Sequence, residues 1–310
     1  MIKVPPYLKK GDMIGLTCPA GYMMKEKAEV CIQTLQQWGF EVMVGKTLGS
    51  DSPTYFSGTD EERRNEFQAM LDDETIQAIL CGRGGYGVSR IIDDLDFTRF
   101  RKKPKWIIGY SDITVLHCHL NRKLKTASIH SPMAAAFNQD GDKNEFIRSL
   151  RNALLGRKAN YKCAPHDLNK VGSAKAELVG GNLSLIAHLL GTPSDLDTSG
   201  KILFLEDIGE QLYSIDRLLY QLKRSGKFKN LAGLVIGRFT EIRDTERPFG
   251  KPLNELIADI IKEYDYPVCF EFPVSHEREN YALKVGVTYE LKVGKKTVQL
   301  LEATIDDAHT

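Results

Sequence analysis

The chain has 310 residues, 42% of them hydrophobic and 27% charged, and its 42 basic and 41 acidic side chains leave a formal net charge of +1. That balance lacks the basic field of a nucleic-acid binder, and the length is enough for two domains with cores of their own. No stretch offers the roughly 18 uninterrupted apolar residues of a membrane span.

The N-terminal Met1-Ile2-Lys3-Val4-Pro5-Pro6 lacks the basic and apolar regions of a signal peptide, so a cytoplasmic protein is expected. Basic pairs such as Lys102-Lys103 and Lys295-Lys296 are short and offset by acids elsewhere, as on solvated faces. The predicted elements then alternate. Met13 to Thr17 reads as a strand, Glu26 to Trp38 as a helix stopped by Gly39, and Glu41 to Val44 as the next strand. An acidic helix from about Glu61 to Leu71 follows. After it come the strand Ile76 to Cys81, a glycine loop, a helix near Val88 to Leu95 and the strand Trp106 to Ile108. This rhythm predicts a largely parallel sheet in an α/β domain.

Trp106 to Asp112 reads as a buried strand that turns sharply through Ser111 into a helical run from Ile113 to Leu120. A serine at such an elbow projects above the sheet, beside backbone N–H groups and the positive end of a helix, and can act as a nucleophile. His117-Cys118-His119 has a metal-like look. Residues two apart on a helix diverge, however, and the six cysteines form no CxxC pair, so no metal is expected and the thiols read as reduced and mostly buried.

Beyond residue 150 a polar stretch, 156–175, is the linker candidate between a domain at 1–155 and a second at 176–310. The second domain has predicted strands at Lys201 to Leu205, Leu231 to Gly237 and Val268 to Phe272. Its predicted helices lie near Asn182 to Leu190, Ser214 to Ser225 and Pro252 to Tyr264.

The glycine loop Gly82-Arg83-Gly84-Gly85-Tyr86-Gly87 satisfies the GxGxxG dinucleotide pattern, but it does not open the fold, and the acid expected about 20 residues on would have to be Asp112, beyond the serine turn. The glycines suit instead a loop whose backbone amides approach a substrate carbonyl. A base for the serine is offered by His276, in a polar loop after an apolar strand. A carboxylate to orient it is offered by Glu206 or Asp207, directly after the strand Lys201 to Leu205; they point to opposite faces, and pattern does not choose between them. Glu210 is a third possibility.

Together these segments resemble the LD-carboxypeptidase family of serine peptidases that act on murein tetrapeptides. The resemblance rests on Gly82-Arg-Gly-Gly-Tyr-Gly87, Gly109-Tyr-Ser-Asp-Ile-Thr114, Gly180-Gly-Asn-Leu-Ser184, Leu203-Phe-Leu-Glu-Asp207, Tyr213-Ser-Ile-Asp-Arg217 and Phe272-Pro-Val-Ser-His276. It implies a Ser111, Glu206, His276 triad. It also implies a Rossmann-like or flavodoxin-like parallel-sheet N-terminal domain, and a smaller β-rich α+β C-terminal domain with the active site in the cleft between the two. No cofactor is implied; a homodimer and a part in peptidoglycan recycling are.

On that basis the oxyanion would be held by the amide of Asp112 with one from Gly84 or Gly85, and a substrate carboxylate by Arg83 or Arg278. The rival readings are a microcin-immunity-like peptidase that cleaves a peptide-nucleotide conjugate, an α/β-hydrolase esterase, and a non-enzymatic nucleotide-binding module in which Ser111 only caps a helix. The esterase is disfavoured by Ile113, which stands where GxSxG has glycine.

Overall fold

Short apolar runs make the strands of the first sheet; the inner ones are buried on both faces, as expected of parallel strands between layers of helix, while Glu41–Val44 at the edge is largely exposed. The computed structural model describes residues 2–303. Within them the chain divides into two units. One comprises the chain up to Arg157 together with Tyr281–Lys284, and the other comprises Lys158–Asn280 and the chain from Val285 onward.

The first unit carries β1 (Met13–Thr17), α1 (Glu29–Gln37), β2 (Glu41–Val44), α2 (Asp60–Asp72), β3 (Ile76–Cys81), α3 (Thr98–Lys102), β4 (Trp106–Gly109), α4 (Thr114–His119), β5 (Ser128–His130) and α5 (Glu145–Leu154). Parallel pairing runs β2-β1-β3-β4-β5. Ile14 and Leu16 of β1 and Trp106, Ile107 and Ile108 of β4 are buried. At Gly15 an added Cβ would lie 2.9 Å from the Met70 sulfur, so the missing side chain lets α2 close on β1. α1 stops where Gly39 turns into the left-handed region at φ +93°.

In the second unit the polar stretch after residue 156 holds a strand, β6 (Asn160–Cys163), and the first residues of β7 (Gly172–Asn182). α6 (Leu183–His188), β8 (Ile202–Ile208), α7 (Leu212–Arg224), β9 (Gly233–Thr240), α8 (Leu253–Ile261) and β10 (Val268–Cys269) follow. β11 (Leu283–Val285) lies beside β5 in the first sheet, and β12 (Thr288–Val293) and β13 (Val298–Glu302) complete the second. That sheet runs β10-β9-β8-β7-β12-β13-β6. It is parallel from β7 to β10 and antiparallel from β7 through β12 and β13 to β6.

One predicted element differs. Val88 to Leu95 forms two short 3-10 turns, Val88–Arg90 and Ile92–Asp94, rather than a helix. The N–H of Val88 is drawn to the carboxylate of Asp112 at 2.8 Å, Ile91 leaves helical geometry at φ −122° and ψ −15°, and Val88, Ile91 and Ile92 are β-branched.

α2 is fastened at its start by a complete capping box: the Thr59 hydroxyl accepts the Glu62 N–H at 3.2 Å, and the Glu62 carboxylate accepts the Thr59 N–H at 2.7 Å. Replacing Thr59 by Ala is expected to lower stability by about 1 kcal/mol in urea unfolding, with an unchanged denaturant slope.

Candidate active site

β4 ends on Gly109, Tyr110 continues in extended conformation at φ −145°, and Ser111 then turns to φ +62° before the chain enters α4 through Ser111–Ile113. A non-glycine residue there costs of order 1–3 kcal/mol and persists only where its surroundings over-determine it. At Gly109 (φ +155°) an added Cβ would lie 2.8 Å from Ile113 Cγ1, so only glycine fits.

Gly84 packs directly against the serine. A Cβ there would stand 2.8 Å from Ser111 Cβ, 3.0 Å from Ser111 Oγ and 3.3 Å from the Asp112 amide nitrogen. The glycine loop therefore brings bare backbone to the serine hydroxyl, and its other glycines also have neighbours within the protein. Gly85, at φ +96°, lies under the Tyr55 hydroxyl, and Gly87 lies against Arg63.

Asp112 points inward and is wholly buried; its carboxylate accepts the Val88 N–H, and burial pushes its pKa up to about 6. The fully buried Arg63 donates to the carbonyls of Pro19 at 2.6 Å and Gly87 at 3.1 Å and pairs with Asp60, which fixes both ends of the glycine loop's surroundings to α2. Sequence reading missed Arg63. Its position in an acidic, outwardly polar helix gives no sign of burial.

In the second unit, Glu206 lies on β8 where the register with β9 shifts: Leu205 pairs with Ile236 and Asp207 with Phe239. Such a bulge re-aims the side chain opposite it. The Glu206 carboxylate, wholly buried, accepts a hydrogen bond from His276 Nδ1 at 2.7 Å. Because a carboxylate only accepts, Nδ1 carries the proton and Nε2 is left as the basic nitrogen of the neutral ring.

Asp207 points the other way. Its carboxylate accepts from Asn182 Nδ2 at 2.7 Å, from the Ser184 N–H at 2.9 Å and from the Ser184 hydroxyl at 2.7 Å, binding β8 to the start of α6. Glu210 lies past the end of β8, where its carbonyl accepts the Arg243 N–H.

The loop that carries His276 is pinned to β9. The Val274 carbonyl accepts the Arg238 N–H at 2.9 Å, and the Arg238 guanidinium bonds Glu279 at 2.5 Å. A Cβ on Gly237 would fall 2.4 Å from the Val274 carbonyl oxygen and 3.2 Å from Glu206 Cβ, so this bare position lets the loop and Glu206 lie side by side. Gly237 was not legible as a site residue, because nothing in sequence shows which strand the histidine loop will rest on.

Burial disfavours the imidazolium of His276, but the charge of Glu206 and its hydrogen bond outweigh burial and raise the pKa above the ordinary 6.5. Arg83 is exposed and donates to the Tyr22 carbonyl; Arg278 is exposed two residues beyond His276. Among the described residues no group of three or more His, Cys, Asp and Glu side chains is placed to hold a metal ion, and no helix is long and apolar enough to cross a membrane.

The chain belongs to the LD-carboxypeptidase family: the family's N-terminal domain profile matches residues 14–131 and its C-terminal domain profile residues 175–291. It is 33% identical to a Bacillus subtilis protein named a probable murein peptide carboxypeptidase, over 98% of this chain and 95% of that one. It is 28% identical to the murein tetrapeptide carboxypeptidase of Pseudomonas aeruginosa, over 90% and 92%. The crystal structure of muramoyltetrapeptide carboxypeptidase from Oxalobacter formigenes superposes with a TM-score of 0.85 at 28% identity, covering 94% of this chain and 99% of that one.

The Glu206–His276 pair has a direct spectroscopic signature. In an NMR titration His276 is expected to titrate above 6.5, and Glu206→Gln, which removes the charge but keeps a hydrogen-bond acceptor, is expected to lower that midpoint.

Proposed function

We propose that the protein is a serine-type LD-carboxypeptidase that removes the terminal D-alanine from murein tetrapeptides, with Ser111 as nucleophile, His276 as general base and acid, and Glu206 as the carboxylate that orients it. The observation that carries this reading is the 2.7 Å bond from His276 Nδ1 to Glu206: it supplies a base in a fixed tautomer, which a serine nucleophile requires. The strained turn at Ser111, with the Gly84 backbone against its hydroxyl, supports the nucleophile.

In this mechanism Ser111 Oγ attacks the carbonyl that precedes the terminal D-alanine while His276 Nε2 takes its proton. The oxyanion that forms is held by the amide of Asp112 and one of Gly84 or Gly85, and loss of one such donor typically costs about 3 kcal/mol of barrier. Collapse breaks the peptide bond, and His276 returns its proton to the departing D-alanine amine. Water, deprotonated by the same imidazole, then releases the tetrapeptide's remainder from Ser111. Glu206 stays ionised and stabilises the imidazolium that forms twice in the cycle.

A free carboxylate at the substrate end calls for a guanidinium, and Arg83 and Arg278 are the proposed partners. The triad draws on both units, so the reading requires Ser111 and His276 to meet when substrate is held. A homodimer working in the cytoplasm in peptidoglycan recycling, with no cofactor, belongs to the same proposal.

Wild-type protein is expected to release D-alanine from an L-Ala-γ-D-Glu-diaminopimelyl-D-Ala tetrapeptide, and Ser111→Ala to lose at least about a thousandfold in kcat while remaining folded. Equal release by the two proteins would remove Ser111 as nucleophile, and no release by folded wild type would remove the substrate assignment.

A further inference from the structure

His117, in the segment that looks metal-like in sequence, has a different task. Its side chain is wholly buried on α4, with Nε2 2.8 Å from the Gly109 carbonyl oxygen and Nδ1 2.7 Å from the Ser128 hydroxyl. A carbonyl can only accept, so Nε2 bears the proton, and Nδ1 of the neutral ring accepts from Ser128. Burial pushes the His117 pKa down to about 4, which keeps the ring in this neutral form.

The Gly109 carbonyl also accepts the Ser131 N–H at 3.2 Å, so both of its lone pairs are engaged. Gly109 is the last residue of β4, two positions before Ser111. A backbone strained at φ +62° relaxes by rotating its neighbouring peptides, and the Gly109–Tyr110 peptide just upstream has its carbonyl held from two sides. Ser128 lies on β5, the strand paired with β4 through Ile108–Ile129 and Gly109–His130, so the ring joins the helix after the elbow to β4, which precedes it, and to β5, which follows it.

We infer that His117 is a positioning residue for the serine elbow: its Nε2–H fixes the Gly109 carbonyl and thereby the angle at which Ser111 presents its hydroxyl and Asp112 its amide. The inference rests on Ser111 being the nucleophile. His117 does not touch the substrate; it acts through the backbone, so its removal moves turnover rather than substrate binding.

The test uses the full-length protein with His117→Phe, which keeps a ring and removes both hydrogen bonds, and His117→Gln, which keeps a donor. The measurements are the rate at which a fluorophosphonate probe modifies Ser111, located by peptide mass spectrometry, and kcat and KM for D-alanine release. His117→Phe is expected to lower the modification rate and kcat by about tenfold to a hundredfold with KM unchanged within about twofold, and His117→Gln to recover most of the loss. Modification and turnover at wild-type rates in His117→Phe would overturn the inference and leave Ser111 as nucleophile. Failure of the probe to modify Ser111 in folded wild type would overturn the parent reading and the inference with it. Should His117→Phe not fold, Ser128→Ala removes the hydroxyl that anchors the ring at Nδ1 and leaves it held by the Gly109 carbonyl alone; a fall in kcat at constant KM supports the inference, and an unchanged kcat overturns it.

Discussion

A serine backbone held in the left-handed region is the constraint around which the first unit is organised. Ser111 adopts φ +62° without the freedom of glycine, and each neighbour contributes to keeping it there. Gly109 has no side chain because Ile113 occupies the space; Gly84 has none because Ser111 does. The buried Asp112 carboxylate ties the elbow to Val88 at the end of the glycine loop, and Arg63 ties Gly87 of that loop to α2. The same hydrogen bonds that hold the elbow cost the chain a regular helix at 88–95, where local propensity yields to the demands of the turn.

The second unit solves a different problem, which is to hold an ionised carboxylate and an imidazole together away from water. A buried carboxylate is tolerable only with a hydrogen-bonded, chargeable partner, and His276 is that partner for Glu206. The bulge between β8 and β9 and the bare Cα of Gly237 bring the two side chains into register. Asp207, adjacent in sequence, is fully engaged with Asn182 and Ser184, so the two acids share the strand without sharing a role.

Much of the fold was legible because the strands of its first sheet are short apolar runs with clear stops. β1, β2 and β3 begin and end where alternation of apolar runs with glycine and polar breaks places them, and α2 lies within a residue or so of the acidic helix expected from about Glu61 to Leu71. The carboxylate was only half legible. Strand alternation separates Glu206 from Asp207, but which face meets the histidine depends on which neighbour stands on each side, and that is a property of the sheet. Arg63, His117 and Gly237 were not legible as neighbours of the candidate site, since each meets a backbone group that lies on another element: Gly87, Gly109 and Val274 respectively. A side chain that hydrogen bonds a carbonyl leaves no spacing signature.

The proposed mechanism has Ser111 carry the acyl group during turnover. The most direct measurement is intact-protein and peptide mass spectrometry of enzyme quenched in acid within the first turnovers on the tetrapeptide. A transient adduct with the mass of the peptide less its D-alanine, mapped to the peptide that contains Ser111, is expected. Turnover that proceeds with no adduct on Ser111, and persists in Ser111→Ala, would contradict it.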